Sequence, residues 1–178
     1  FRSACQLDAA QELLGQLGRF LPAADATTQR SMLAQWQALD GVIARGRGDG
    51  ERAEQQCSEA LACLPVERYG PHYMCLSTLS NLAVVRGDLW RARGLNRDAL
   101  ELAQRIGNPL FEALAHYERA RVLQARSEIA RAQDEVHQGL LLAQRLPAQR
   151  HYSVRARLTI YEGYLLSLRL QPQAVERL

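Results

Sequence analysis

The chain contains no lysine, and all 22 of its basic residues are arginine. This absence excludes a nucleotide-binding loop of the Walker A type, because that motif needs a lysine to reach the β- and γ-phosphates. The net charge is only +3, and the arginines are spread along the whole chain. Strong phosphate binding usually needs a concentrated basic patch. We therefore expect no basic patch and no direct contact with nucleic acid, and we attribute the arginine content to a coding sequence rich in G and C.

Long apolar runs are also missing. No stretch approaches the roughly eighteen uninterrupted apolar residues that a membrane-spanning helix requires. The first residues do not resemble a signal peptide. These absences predict a cytoplasmic protein without a membrane contact. The chain has no initiator methionine, and it begins and ends in predicted helices. We therefore expect a fragment of a longer protein.

Motifs for catalysis and metal binding are absent as well. The four cysteines, which lack C-x-x-C spacing, are Cys5, Cys57, Cys63 and Cys75. We expect them to be small hydrophobic residues in a reducing compartment. Glu112 and His116 are four residues apart, which predicts a simple surface or groove pair rather than a metal site. No serine or cysteine lies in a nucleophile motif. The sequence thus predicts no enzyme activity, no metal and no cofactor within this chain.

The chain is rich in the helix formers Ala, Leu, Gln, Arg and Glu, which favours an all-α fold. Within it, a segment recurs three times without gaps. The copies are GDGERAEQQCSEALACLP at 48–65, GDLWRARGLNRDALELAQ at 87–104 and SEIARAQDEVHQGLLLAQ at 127–144. A fourth copy begins at Ala174 and runs off the end of the chain. The corresponding alanines, Ala53, Ala92, Ala132 and Ala174, are 39, 40 and 42 residues apart. Such a period is typical of stacked helix pairs.

The start of each copy has the chemistry of a helix–turn–helix corner. Gly48 and Gly87 suit the left-handed conformation that often ends a helix. Asp49 and Asp88 follow directly and can cap the next helix, whereas Glu128 is a weaker cap. A turn this short makes the two helices antiparallel.

Small residues mark the positions at which paired helices cross. In the second helix of each pair they are Ala53, Ala92 and Ala132, and twelve residues earlier they are Gly41, Ser80 and Ala120. Seven residues after each of these three alanines comes a small residue, and eight residues after it comes a leucine. We expect the leucine to lie in the core. We predict a lone helix at 3–20 and helix pairs over 27–64, 71–106, 109–146 and 150–178, the last pair truncated. The six prolines are expected between helices or in first turns, since none is predicted inside a helix.

These positions resemble the tetratricopeptide repeat, with a small residue, the key alanine twelve residues later and the Ala-Leu pair beyond it. The resemblance implies one domain over 1–178, a right-handed superhelical solenoid of about eight helices. The period near 40 exceeds the 34 residues of that repeat. The chain also departs from it at Cys57, Asn96 and Val136, where the family has an aromatic residue.

The strings GDLWRARGLNRDALELAQRIGN and RVLQARSEIARAQDEVHQGLLLAQRL are similar to the longer repeats of MalT-like members of the LuxR superfamily. These bacterial transcriptional activators join a nucleotide-binding module, a winged-helix segment, a helical repeat sensor and a DNA-binding helix-turn-helix. The resemblance covers only the sensor. It implies a role in gene regulation, with ATP and DNA bound by modules outside this chain.

In tetratricopeptide repeats the first helix of each pair lines a concave groove. The resemblance therefore implies a groove for an inducer or a regulatory protein or peptide, lined by Gln35, Arg45, Ser77, Asn81, Tyr117, Arg121, Gln124, Arg157 and Tyr164. Arginine, amide and tyrosine side chains can bind polar ligands or acidic peptides. The alternative is a peptide-binding scaffold domain unrelated to transcription. A truncated solenoid exposes apolar ends that would allow self-association, and the sequence leaves the oligomeric state open.

Overall fold

The computed structural model describes residues 2–19, 25–65, 67–146 and 148–175. In these ranges the chain is all-α, with eight helices that pack in sequence as antiparallel pairs. They are α1 (Arg2–Gly18), α2 (Ala26–Gly46), α3 (Gly50–Cys63), α4 (Tyr69–Val85), α5 (Leu89–Ile106), α6 (Pro109–Ala125), α7 (Ile129–Ala143) and α8 (Ala148–Val175). The predicted all-α class is confirmed.

The chain divides into two compact units, Phe1–Leu82 and Ala83–Leu178. In the first unit, α2 packs along α3 and α1 packs against α2. In the second unit, α6 packs along α7, and α5 and α8 lie against this pair. The second unit carries most of the candidate site.

The two glycine–aspartate corners have the predicted geometry. Gly48 and Gly87 take left-handed φ angles of 84° and 78°. The Asp49 side chain accepts a hydrogen bond from the backbone N–H of Arg52, and Asp88 does the same for Arg91. The cap therefore satisfies an N–H group at each helix start that would otherwise lack a partner.

The third corner achieves the same turn with different residues. Ser127 takes the left-handed position with φ 63° although it is not glycine. Glu128 makes no side-chain capping hydrogen bond, as its weaker capping tendency predicted. Instead its carboxylate pairs with Arg126 at 2.6 Å and with Arg131. These hydrogen bonds lower the pKa of Glu128 below its ordinary value. Glu128 therefore links Arg126 before the turn to Arg131 after it.

The predicted crossing positions are buried. Ala53, Ala92 and Ala132 are all completely buried. A Cβ atom placed on Gly41 would lie 2.5 Å from Cys57 Sγ and 3.2 Å from the carbonyl oxygen of Ala53. Gly41 is therefore required by the close approach of α2 and α3. Of the three predicted core leucines, Leu100 is buried, and Leu61 and Leu140 are half-buried.

A charged pair accompanies this crossing in the first unit. Asp40 is 1% exposed, and its carboxylate accepts two hydrogen bonds of 2.9 Å from the Arg52 guanidinium. Gln11 of α1 donates a third, at 3.3 Å. Because a buried carboxylate is costly unless it is paired, these contacts tie α1, α2 and α3 together.

The core of the second unit lies between α6, α7 and α8. Its largest fully buried side chains are Val136, Leu158 and Leu165. Gly139 of α7 approaches α8 so closely that a Cβ atom there would lie 3.0 Å from Leu158 Cδ2.

The proline prediction was wrong at one position. Pro65 lies between helices, Pro71 is in the first turn of α4 and Pro109 begins α6. Helix α8, however, continues through Pro172 to Val175, so no second helix of a last pair begins before residue 176. Proline removes one backbone hydrogen bond, and α8 accepts this loss three residues before its end. The predictions for Pro22 and Pro147 lie outside the described residues.

The three cysteines that the structure describes form no disulfide. Cys57 and Cys75 are buried, and Cys63 is exposed. A hydrogen bond with Cys57, together with burial, raises the pKa of the Cys75 thiol far above its ordinary value. Cys75 is therefore a protonated, unreactive core residue. Over the described ranges, every helix falls short of the length and apolarity needed to cross a membrane.

Candidate functional site

The nine predicted groove residues are divided between the two units. Four lie on α2 and α4 of the first unit: Gln35, Arg45, Ser77 and Asn81. All four are half-buried. Gln35 donates a hydrogen bond to the Ser31 carbonyl oxygen, at 3.1 Å, within its own helix.

The remaining five lie on α6 and α8 of the second unit: Tyr117, Arg121, Gln124, Arg157 and Tyr164. Tyr161 connects two of these side chains, Tyr117 and Tyr164, and Arg157 contacts Tyr117. The Tyr117 and Tyr161 rings meet edge to face with centroids 5.2 Å apart, and Tyr161 and Tyr164 are 5.8 Å apart. The Arg157 guanidinium lies over the Tyr117 ring, 5.6 Å from its centroid. Such edge and cation–π contacts hold the rings in fixed orientations.

A second charged group supports this cluster from α6. Arg121 contacts the Glu118 carboxylate at 3.1 Å, and Glu118 is 7% exposed. Gln124 is half-buried one turn after Arg121, on the same side of α6. We call Tyr117, Arg121, Arg157, Tyr161 and Tyr164 the tyrosine–arginine surface.

The tyrosine–arginine surface combines a fixed centre with an accessible edge. Tyr164 is 45% exposed, and the neighbouring Ile160 is 75% exposed. Arg157 is exposed as well. Guanidinium groups can bind carboxylates, and tyrosine rings offer apolar faces together with hydroxyl groups. The surface can therefore bind a ligand that has both acidic and apolar groups.

Sequence reasoning did not identify Tyr161 and Glu118 as members of the site. Tyr161 lies four residues after Arg157 and three before Tyr164, so helical spacing alone places all three on one face. Glu118 lies three residues before Arg121. The spacing in α8 was therefore a usable signal for Tyr161.

Tyr161 has an unusual hydroxyl group. The oxygen is buried and has no hydrogen-bond partner among the described residues. Burial raises the pKa of Tyr161 above its ordinary value, so the group stays a neutral O–H donor. Leaving a buried polar group without a partner costs about 1–3 kcal/mol.

We expect Tyr161→Phe to stabilise the chain by about 1 kcal/mol, because it removes the unpartnered hydroxyl and keeps the ring contacts. Urea unfolding followed by circular dichroism measures this change. Tyr164→Phe is the matched control, because Tyr164 is exposed and its change should stay within about 0.5 kcal/mol. A destabilised Tyr161→Phe would show that the hydroxyl already has a partner.

A group of arginines lies on the opposite side of α6, although the sequence alone shows no concentrated basic patch. A cleft of about 410 Å³ between α5, α6 and the start of α7 is lined by five arginines: Arg93, Arg97, Arg119, Arg126 and Arg131. The cluster could not be predicted from sequence position, because its arginines come from different parts of the chain. We call this the arginine cleft.

The histidine pairing also differs from the prediction. His116 Nδ1 lies 2.7 Å from the Glu135 carboxylate of α7, so the contact described for it is with Glu135 rather than with Glu112. Arg119 contacts the same carboxylate at 3.1 Å. Across the described ranges, no three His, Cys, Asp or Glu side chains are grouped so that they could hold a metal ion.

Comparison of the chain with protein-family models, with curated proteins and with solved structures gives no match in any of the three.

Proposed function

We propose that this chain is a helical-repeat binding domain whose tyrosine–arginine surface receives an effector or a partner protein. The observation that carries the proposal is the fixed cluster of three tyrosine rings and the Arg157 guanidinium across α6 and α8. The recurring corners and the buried small residues support a tetratricopeptide-like solenoid as the scaffold.

The setting we propose is the sensor region of a MalT-like transcriptional regulator. The support for this setting is the resemblance of the two repeat strings in 87–108 and 121–146. In such a protein, a ligand that favours one conformation of the repeat domain shifts the population toward the active state. Sequencing the coding region on both sides tests the setting. A Walker-type module before the chain and a helix-turn-helix after it are expected, and their absence would contradict it.

A peptide-binding scaffold is the second candidate, and one observation favours it. The highly exposed Ile160 lies beside Tyr164, and Arg157 is one turn away. An extended peptide with alternating acidic and apolar residues can contact all three, whereas a small polar molecule does not use Ile160. Acidic motifs are commonly recognised by arginine side chains.

We expect either a small effector or a peptide to raise the melting temperature of the chain. A ligand that binds only the folded state stabilises that state by mass action. At a hundredfold excess over Kd the gain is about 2.7 kcal/mol. The measurement is thermal unfolding with small organic acids that carry an apolar group and with peptides of alternating Glu and Leu. A peptide response favours a protein partner, and a response to the small acids favours a small effector.

The variant Arg157→Gln combined with Tyr164→Ala should abolish the response. Arg155→Gln is the matched control, because Arg155 is exposed on α8 about half a turn away from Arg157. Equal responses in both variants, or no response from any ligand, would contradict a binding role for the surface.

A further inference from the structure

The arginine cleft brings five of the 22 arginines of the chain into one small space. Its lining also includes one acidic residue, Glu128. The floor includes the buried apolar side chains of Val122 and Leu123. Carboxylates contact four of the five arginines, so an anion would bind through the guanidinium N–H donors that these contacts leave unused.

The arginines are paired unequally, which shows where an anion would bind first. Arg126 and Arg131 both contact Glu128. Arg119 contacts Glu135, and Arg97 contacts Asp98 at 3.1 Å and Glu101 at 3.9 Å. Arg93 is exposed and has no carboxylate partner among the described residues. Each guanidinium has five N–H donors, so a paired arginine keeps donors for a ligand.

Two further features define the shape of the ligand. Trp90 lines the cleft and is 80% exposed, so a flat indole ring faces solvent beside the cations. Gly94 lies between the two α5 arginines, and a Cβ atom placed on it would have no heavy atom within 4 Å. The helix backbone is therefore open to a ligand at this point.

We propose that the arginine cleft binds a small anion that carries phosphate groups and a flat ring. A volume near 410 Å³ is in the range of sites for single small molecules. A diphosphate group spreads its charge over several oxygens and can use two or three guanidiniums at once. The ring stacks on Trp90, as aromatic rings do on exposed indoles. Arg93 and Arg97 bind the phosphate oxygens.

This site is separate from the tyrosine–arginine surface. Arg119 and Arg126 of the cleft are about half a turn around α6 from Tyr117 and Arg121. Binding at one surface therefore does not require the other, and failure of one proposal leaves the other standing.

The test is isothermal titration calorimetry of the whole chain at about 0.15 M salt. The three ligands are ADP, inorganic pyrophosphate and adenosine. ADP is expected to bind most tightly and pyrophosphate more weakly, and adenosine is expected to show no binding. Trp90 fluorescence should change with ADP, and Trp90→Phe should remove this signal, since Trp36 is the only other tryptophan.

Three variants locate the site. Arg93→Gln should weaken ADP binding about tenfold or more, because it removes charge-assisted hydrogen bonds. Gly94→Leu should abolish binding by filling the cleft without changing its charge, and the melting temperature should be kept because leucine suits a helix. Glu128→Gln should strengthen binding by releasing Arg126 and Arg131. Arg155→Gln on α8 should bind like the unchanged chain.

The proposal would be overturned if neither ADP nor pyrophosphate binds at millimolar concentration, or if adenosine binds as tightly as ADP. It would also be overturned if Arg93→Gln and Arg155→Gln lose ADP binding equally, or if a folded Gly94→Leu variant binds ADP unchanged. Tighter binding of single-stranded RNA than of ADP, lost in Arg93→Gln, would also overturn it, because the cleft would then be part of a nucleic-acid surface.

Discussion

Gly41→Ala is expected to destabilise the chain by about 1–3 kcal/mol, although alanine is the better helix former. The new Cβ would lie 2.5 Å from Cys57 Sγ, and 3.2 Å from both the Ala53 carbonyl oxygen and the Cys57 backbone nitrogen. The sulfur can rotate away, but the two backbone atoms belong to α3. Helices α2 and α3 must therefore separate, which disturbs the neighbouring Asp40–Arg52 pair.

Gly15→Ala provides the matched control, since Gly15 is inside α1 and a Cβ there meets no atom within 4 Å. The same chemical change should stabilise the chain by up to about 1 kcal/mol. Urea unfolding of both variants, followed by circular dichroism, measures the difference. Two variants shifted in the same direction would show that the crossing of α2 and α3 is looser than described.

Leu158→Ala is expected to cost about 2–5 kcal/mol, because Leu158 is completely buried in the core of the second unit. Gly139→Ala should also destabilise, since its new Cβ would lie 3.0 and 3.2 Å from the two Leu158 methyl groups. The double variant places the added methyl group in the space that Leu158 vacates. Its loss of stability should therefore be smaller than the sum of the single losses, by about 1 kcal/mol.

Gly163→Ala controls for this coupling. A Cβ on Gly163 of α8 meets no heavy atom within 4 Å. Combined with Leu158→Ala, it should give an additive change within about 0.5 kcal/mol. Additive behaviour of the Gly139 and Leu158 changes would be inconsistent with the close approach of α7 and α8.

The features that sequence predicted are local ones. A Gly-Asp corner needs only a left-handed glycine and a carboxylate that reaches the next N–H groups, so Gly87 and Asp88 predicted both the turn and the cap. The buried alanines follow from the same periodicity, since a small residue is needed wherever paired helices cross. Such features depend on neighbours within one or two helical turns.

The arginine cleft shows what local patterns leave undetermined. Arg93 and Arg97 are four residues apart, and Arg119 and Arg126 are seven apart, so each pair predicts one face of a helix. Which faces meet depends on how α5 packs on α6, and one helix does not determine that. His116 likewise contacts Glu135 of the paired helix rather than the predicted Glu112 of its own. These outcomes were set by tertiary packing.

The most direct test of the proposed function is a side-chain NMR titration of the arginine Nε–Hε signals with a peptide of alternating Glu and Leu. The signals of Arg157 and Arg121 are expected to shift in a saturable manner, and the signal of Arg155 is expected to stay unchanged. The same peptide with Lys in place of Glu should leave all three unchanged. Uniform shifts across the exposed arginines, or shifts at Arg155 equal to those at Arg157, would contradict the tyrosine–arginine surface as a binding site.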